Sequence, residues 1–192
     1  MEYFTLFMSA VIVNNFVLTR FLGLCIFFGV SKNLDASMGM GVAVTAIMTL
    51  SSALAWAVHH YVLHPQGLEF LTTAVFVVLI ACFVQLLEMI IRKYSPTLYN
   101  MWGIYLLLIA TNCIVFGVPV INAESGFNFT QSVVNSFGSG VGFALALVLM
   151  ASLREKLRYA DVPKPLEGLG IAFILAGMLA LSFFGFSGMI AT

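Results

Sequence analysis

Apolar residues along the 192-residue chain gather into six long runs separated by short polar breaks, near 3–30, 37–62, 69–91, 98–121, 130–152 and 167–190. A helix needs about 20 predominantly apolar residues to cross a bilayer. The pattern therefore predicts an all-α integral membrane protein with six transmembrane helices in a single membrane domain over 1–192. The first run is too long for one simple crossing, and it contains Asn14, Asn15, Arg20 and Gly23. A helix interrupted partway accounts for the excess. Such an interruption is tolerated at membrane depth only where protein or a cavity covers the freed backbone groups.

Composition strengthens this reading and narrows the function. Hydrophobic residues make up 61% of the chain and charged residues 8%, against about 25% charged in soluble domains. Too little charge remains to build a water-facing surface, so lipid is the solvent. No polar stretch is long enough for a soluble domain, and flavin or nucleotide chemistry is expected on partner subunits rather than on this chain. With zero net charge and only eight Lys and Arg, there is no electrostatic footprint for nucleic acid. Met1-Glu2-Tyr3-Phe4 lacks the basic start of a secretory signal, so the first run is expected to be a retained span.

The few charges also predict topology. Lys32 follows the first run, Arg92 and Lys93 the third, and Arg154, Lys156, Arg158 and Lys164 the fifth. The N-terminus, the 63–68 and 122–129 connections and the C-terminus carry no Lys or Arg. By the positive-inside rule the basic connections are cytoplasmic and both termini face outward.

One hexapeptide recurs. Cys25-Ile26-Phe27-Phe28-Gly29-Val30 and Cys113-Ile114-Val115-Phe116-Gly117-Val118 agree at five of six positions. Each copy lies late in the first helix of a three-span half, 1–93 or 94–192. Three spans per half is odd, so the second half enters from the opposite face. That makes an inverted-topology repeat, with the first helix of each half expected to be broken. Cys25 precedes cytoplasmic Lys32 by about 10 Å of helix rise, and Cys113 precedes outer Glu124 by about 16 Å. Both thiols are thus expected well inside the bilayer, approached from opposite faces.

A membrane cysteine is most simply a small hydrophobe, and Cys82, which has no counterpart in the repeat, is read that way. For the symmetric pair a disulfide and metal ligation both remain open. Iron–sulfur centres typically take four thiolates, so one such chain would offer half a site.

At these residues the chain resembles a known family. Val13-Asn14-Asn15-Phe16-Val17-Leu18-Thr19-Arg20-Phe21-Leu22-Gly23-Leu24-Cys25 resembles the first-helix signature of the RnfA family, also called RsxA. Gly39-Met40-Gly41, Glu88 with Arg92-Lys93, Thr111-Asn112-Cys113, Arg154-Glu155-Lys156, Ala160-Asp161-Val162-Pro163 and Phe186-Ser187-Gly188 extend the likeness along the whole chain. NqrE of the sodium-pumping quinone reductase is a sister family sharing the Leu-Gly-x-Cys core. The family's usual motif has Pro after the first Cys, where this chain has Ile26. The resemblance implies a membrane subunit of the Rnf complex, an ion-translocating ferredoxin:NAD oxidoreductase that moves Na⁺ or H⁺ across the bacterial or archaeal cytoplasmic (inner) membrane. It implies a homologous RnfE-like partner of opposite orientation, other Rnf subunits, and a shared [2Fe-2S] cluster whose ligands on this chain are Cys25 and Cys113. The chain alone is not expected to be catalytic.

Other polar residues carry two readings each. Arg20 either offsets the negative charge of such a cluster or snorkels to the cytoplasmic interface. Glu88 either pairs with Arg92 one helical turn on or lines an ion path. Asn14, Asn15, Thr111 and Asn112 either bond helix to helix or support the broken helices and cluster sulfurs. His59, His60 and His64 read as polar ends of the second span, with a metal site as the sharper alternative. Gly138-Ser139-Gly140-Val141-Gly142 predicts close helix packing. Beside the redox subunit stand two competing functions: a stand-alone secondary transporter, since inverted repeats with broken helices are common there, and a cofactor-free scaffold.

Overall fold

The computed structural model describes residues 2–63, 71–94, 108–109, 111–157, 159, 163 and 168–186. Helix α1 (Glu2–Met8) runs into a π-helical turn, Ser9–Val13, and two short helices follow, α2 (Phe16–Arg20) and α3 (Leu24–Val30). Next come α4 (Leu34–Val58), which ends in a second π turn, His59–Leu63, and then α5 (Thr72–Tyr94). The described chain is completed by α6 (Cys113–Glu124), α7 (Phe129–Leu157) and α8 (Leu169–Phe184). No strand occurs among the described residues. Three helices, Leu34–Leu63, Thr72–Ile90 and Phe129–Leu157, are long and apolar enough to cross a membrane, and three shorter apolar helices cover Tyr3–Val13, Cys113–Glu124 and Leu169–Phe184. The protein is an all-α, multi-pass membrane protein.

The first apolar run is interrupted, as its length predicts, but twice rather than once. One break falls at Asn14-Asn15 and the other at Phe21–Gly23. The π turn accounts for the first: the Asn14 amide donates to Ser9 O at 2.7 Å, which widens the last turn and leaves the next residues without a helical ladder.

Polar and apolar positions are arranged for lipid. Large apolar side chains such as Val42, Met89, Leu181 and Phe184 are exposed, while Asn15, Ser52, Asn112, Asn122, Ser132 and Ser136 are buried. Lipid tails are as apolar as the side chains they solvate, so helices associate through close packing and polar bonds instead of through expulsion of water. The most extensive pairing is α4 against α7. Around it, α7 packs on α1 and its π turn, α4 and α5 both pack on α6, and α8 packs on α2.

Gly140, midway along α7, is what allows that pairing. A Cβ at Gly140 would lie 2.7 Å from Thr45 Cγ2 and 2.8 Å from Thr45 Cα. Backbone cannot move aside as a side-chain tip can, so only glycine lets α4 and α7 approach this closely. The close packing expected of residues 138–142 is therefore realised. Gly140→Val should destabilise the fold by about 1–3 kcal/mol through overpacking, lowering the thermal unfolding midpoint in detergent. Gly177→Val, at a site with open space around the position, should leave the midpoint close to wild type.

Candidate functional site

Helix restarts at Asn15 and Asn112 organise the site. A new helix exposes its first N–H groups, and in lipid these need partners. Asn15 Oδ1 accepts from the Val17 amide at 3.2 Å, capping α2. Asn112 Oδ1 accepts from the Ile114 amide at 3.3 Å, capping α6 in the same way. Asn15 also anchors its break to the bundle, its Nδ2 donating to Gly142 O on α7 at 2.8 Å.

Between α2 and α3 the backbone turns sharply. Phe21 sits at φ 56°, a left-handed conformation that costs a bulky residue steric energy. Gly23 follows at φ 84°, where the absence of a side chain removes that cost. A Cβ at Gly23 would also lie 3.1 Å from the Phe143 ring and 3.2 Å from Asn112 Oδ1. The amide of Gly23 is thereby aimed across the bundle, and it donates to Cys113 Sγ at 3.0 Å.

Cys113 is the first residue of α6, and Cys25 is the second residue of α3, two positions after the glycine that contacts Cys113. The Gly23 bond thus sets Cys113 Sγ against backbone two residues before Cys25. Both are free and exposed on the surface of the chain. Each sits at the start of a helix.

The far end of α3 is also held. Arg154, near the end of α7, donates through Nη1 to Phe28 O at 3.0 Å and to Ser31 Oγ at 2.8 Å. A cation there satisfies a carbonyl and complements the negative end of the helix. Gly23 and Arg154 are thus site-building residues beyond the expected set. The position of Gly23 just before Cys25 hints at its role, whereas the sequence around Arg154 signals only a topological charge.

The remaining expected residues sit at different distances from this centre. Asn15 and Asn112 belong to it as caps. Asn14 is exposed and donates to Ser9 Oγ at 3.2 Å, within its own turn. Arg20 is exposed at the end of α2, its guanidinium 5.9 Å from the centroid of the Phe16 ring. Glu88 is half-buried on α5, and the side chain of Arg92, its expected partner, lies outside the described residues. His60 stacks on Trp56 and His59 meets Phe76 edge-on, while His64 lies outside the described residues. Cys82 is exposed on α5 beside Ala74, Val75, Val78 and Leu79.

Among the described residues no three His, Cys, Asp or Glu side chains converge on a point that could hold a metal ion. Two cysteines are brought near one another, Cys113 Sγ accepting from the backbone N–H two residues before Cys25. That donor set fits half of a four-thiolate iron–sulfur centre, in which hydrogen bonds to sulfur are usual tuning elements.

An all-α, multi-pass chain with paired thiols at interrupted helices defines a class of integral membrane protein. The chain belongs to the Rnf-Nqr family, described as "Rnf-Nqr subunit, membrane protein", which matches residues 3–190. It is 76% identical over 190 residues to the A subunit of the proton-translocating ferredoxin:NAD(+) oxidoreductase complex of Clostridium ljungdahlii, covering 99% of this chain and 98% of that protein. It is 51% identical over 189 residues to the A subunit of the ion-translocating oxidoreductase complex of Vibrio cholerae, covering 98% of each chain. The protein of the same description from Tolumonas auensis is 52% identical over 190 residues, covering 99% of this chain and 98% of that protein.

Arg154→Ala should loosen α3 without unfolding the bundle, since hydrogen bonds to a charged group contribute about 1.5–3 kcal/mol. Hydrogen–deuterium exchange should accelerate in peptides covering residues 24–31 and remain unchanged in α5.

Proposed function

We propose that this chain is the RnfA-type subunit of an ion-translocating ferredoxin:NAD oxidoreductase complex and that it supplies two of the four thiolates of a [2Fe-2S] centre inside the bilayer. The other two thiolates come from a homologous RnfE-like subunit inserted in the opposite orientation. The complex moves Na⁺ or H⁺ across the bacterial or archaeal cytoplasmic membrane, and the chain spans that membrane six times with both termini outside. When bound, the [2Fe-2S] group supplies a one-electron carrier at a depth that soluble carriers cannot reach.

One observation carries the reading. Cys25 and Cys113 are far apart in sequence, yet the Gly23 amide donates to Cys113 Sγ two residues before Cys25, and both thiols are exposed on the chain's own surface. An exposed thiol pair deep in a membrane protein has two natural neighbours, lipid or a further protein chain. Only a protein chain can supply further thiolates.

This chain's residues then have definable tasks. Cys25 and Cys113 ligate. The N-termini of α3 and α6 stabilise the added negative charge. The Gly23 amide would draw electron density from one sulfur, which favours the reduced state, and the Asn15 and Asn112 caps hold the starts of α2 and α6. Names of relatives that are 76% and 51% identical over nearly the whole chain support the assignment to the complex.

The inverted repeat rests on the recurring hexapeptide, whose copies begin at Cys25 and Cys113, near the starts of α3 and α6.

Cys25→Ser and Cys113→Ser, each assembled with all partner subunits, should lose the iron, acid-labile sulfide and reducible EPR signal of one [2Fe-2S] centre. Turnover of the complex should fall below detection. Cys82→Ser should retain all of these. An unchanged iron content and spectrum in Cys25→Ser, with assembly intact, would sink the shared-centre reading.

A further inference from the structure

Gly29 and Gly117 hold the same place in the recurring hexapeptide, four residues after Cys25 and Cys113. Residues i and i+4 of a helix share a face, so each glycine lies on the face of its thiol, about 6 Å further along the axis. Within this chain the two faces fare differently. A Cβ at Gly117 would lie 3.1 Å from Leu22 Cδ1, so the missing side chain is what seats that leucine against α6. The next residue, Gly23, directs its amide at Cys113 Sγ. Leu22-Gly23 therefore covers the Cys113/Gly117 face as a unit. At Gly29, no other described element comes within 4 Å of where a Cβ would stand.

The rest of α3 is held by the chain itself. Ile26, Phe27 and Val30 are buried, and Phe28 meets Phe173 of α8 with ring centroids 4.4 Å apart. Cys25 and Gly29 are the two exposed residues of the helix. One difference between the halves explains why this face stays open. At the 88-residue offset of the repeat the counterpart of Leu22 is Ala110, and alanine lacks the δ-methyl groups that Leu22 lays on Gly117. Lipid would fill the recess too, but lipid is fluid and sets no requirement for glycine, a weak helix former, at the one small position the repeat keeps beside its cysteine. Small residues in membrane helices are required where another helix comes close. A chain that completes the coordination of Cys25 passes along this face, within one turn of Gly29. We infer that the homologous partner subunit seats a branched aliphatic side chain on Gly29, closing the open face of α3 as Leu22 closes that of α6. The identity of the partner rests on the shared-centre reading; the vacancy at Gly29 does not.

The test uses the whole complex, purified through a tag on this chain. Gly29→Ala, Gly29→Val and Gly29→Leu add side chains of rising size to the recess, and Gly177→Val adds one at an open position on α8. Recovery of every other subunit is quantified by mass spectrometry, and hydrogen–deuterium exchange in α4 and α7 reports whether the chain itself is folded. The inference requires that recovery of the homologous subunit fall progressively with size, several-fold by Gly29→Leu. Protection of α4 and α7 should match wild type, and Gly177→Val should change nothing. Full recovery in Gly29→Leu means that lipid covers the face and overturns the inference. Loss of a different subunit, with the homologue retained, names another occupant and overturns it as well. So does faster exchange in α4 and α7, which means that the space belongs to the chain's own fold. Iron content and EPR of the wild-type complex are measured in the same preparations. Absence of a [2Fe-2S] signal there removes the shared centre, while the recovery series still decides what covers Gly29.

Discussion

Every backbone N–H and C=O freed by an interruption inside a membrane must find another partner within the protein, because lipid offers none. That requirement shapes the core of this molecule. Asn15 and Asn112 each satisfy an amide at a helix start, and Asn15 directs its Nδ2 at a carbonyl of α7. Arg154 satisfies a carbonyl at the end of α3. Once these groups are accounted for, the positions of the two thiols follow, since each lies within two residues of a helix start that the bundle holds in place.

The long pair α4 and α7 serves as the rigid frame for these interruptions. Close approach at Gly140 brings α7 near enough to the first helix for Gly142 to receive the Asn15 amide. The same helix carries Phe143 against Gly23 and, at its far end, Arg154 against α3. One helix thus fixes both ends of the short segment that bears Cys25. Fixing such a segment costs conformational entropy. Placing its anchors on an element already locked by packing reduces the number of independent groups that must be ordered.

Much of this is legible in the sequence, for physical reasons that differ from residue to residue. Apolar run length marks membrane helices because bilayer thickness is nearly constant. Asn14, Asn15, Arg20 and Gly23 within one run mark an interruption because each is costly or unhelpful in an unbroken apolar helix. The recurring Cys-Ile-x-Phe-Gly-Val marks equivalent places. The second break, at Phe21–Gly23, is not legible, since nothing in a Phe-Leu-Gly run announces a left-handed phenylalanine. Nor is the role of Arg154, because a basic residue at the end of an apolar run has the same appearance whether it meets water or a helix end 126 residues away. Asn122 is silent too, because a lone asparagine near a helix end gives no sign of Ser52 and Ser136, to which its Nδ2 donates.

The bond from the Gly23 amide to Cys113 Sγ spans 90 positions of sequence, and that from Asn15 to Gly142 O spans 127. A ribosome delivers the chain in order. When the first helix enters the bilayer, neither acceptor has yet been synthesised. A donor without a partner in lipid favours the uninterrupted helix, whose own carbonyls are at hand. The first segment is therefore expected to insert as a more regular helix and to acquire its two breaks only after residues 113 and 142 have arrived. Maturation of the thiol pair is in this sense a late event in biosynthesis, timed by the second half of the protein.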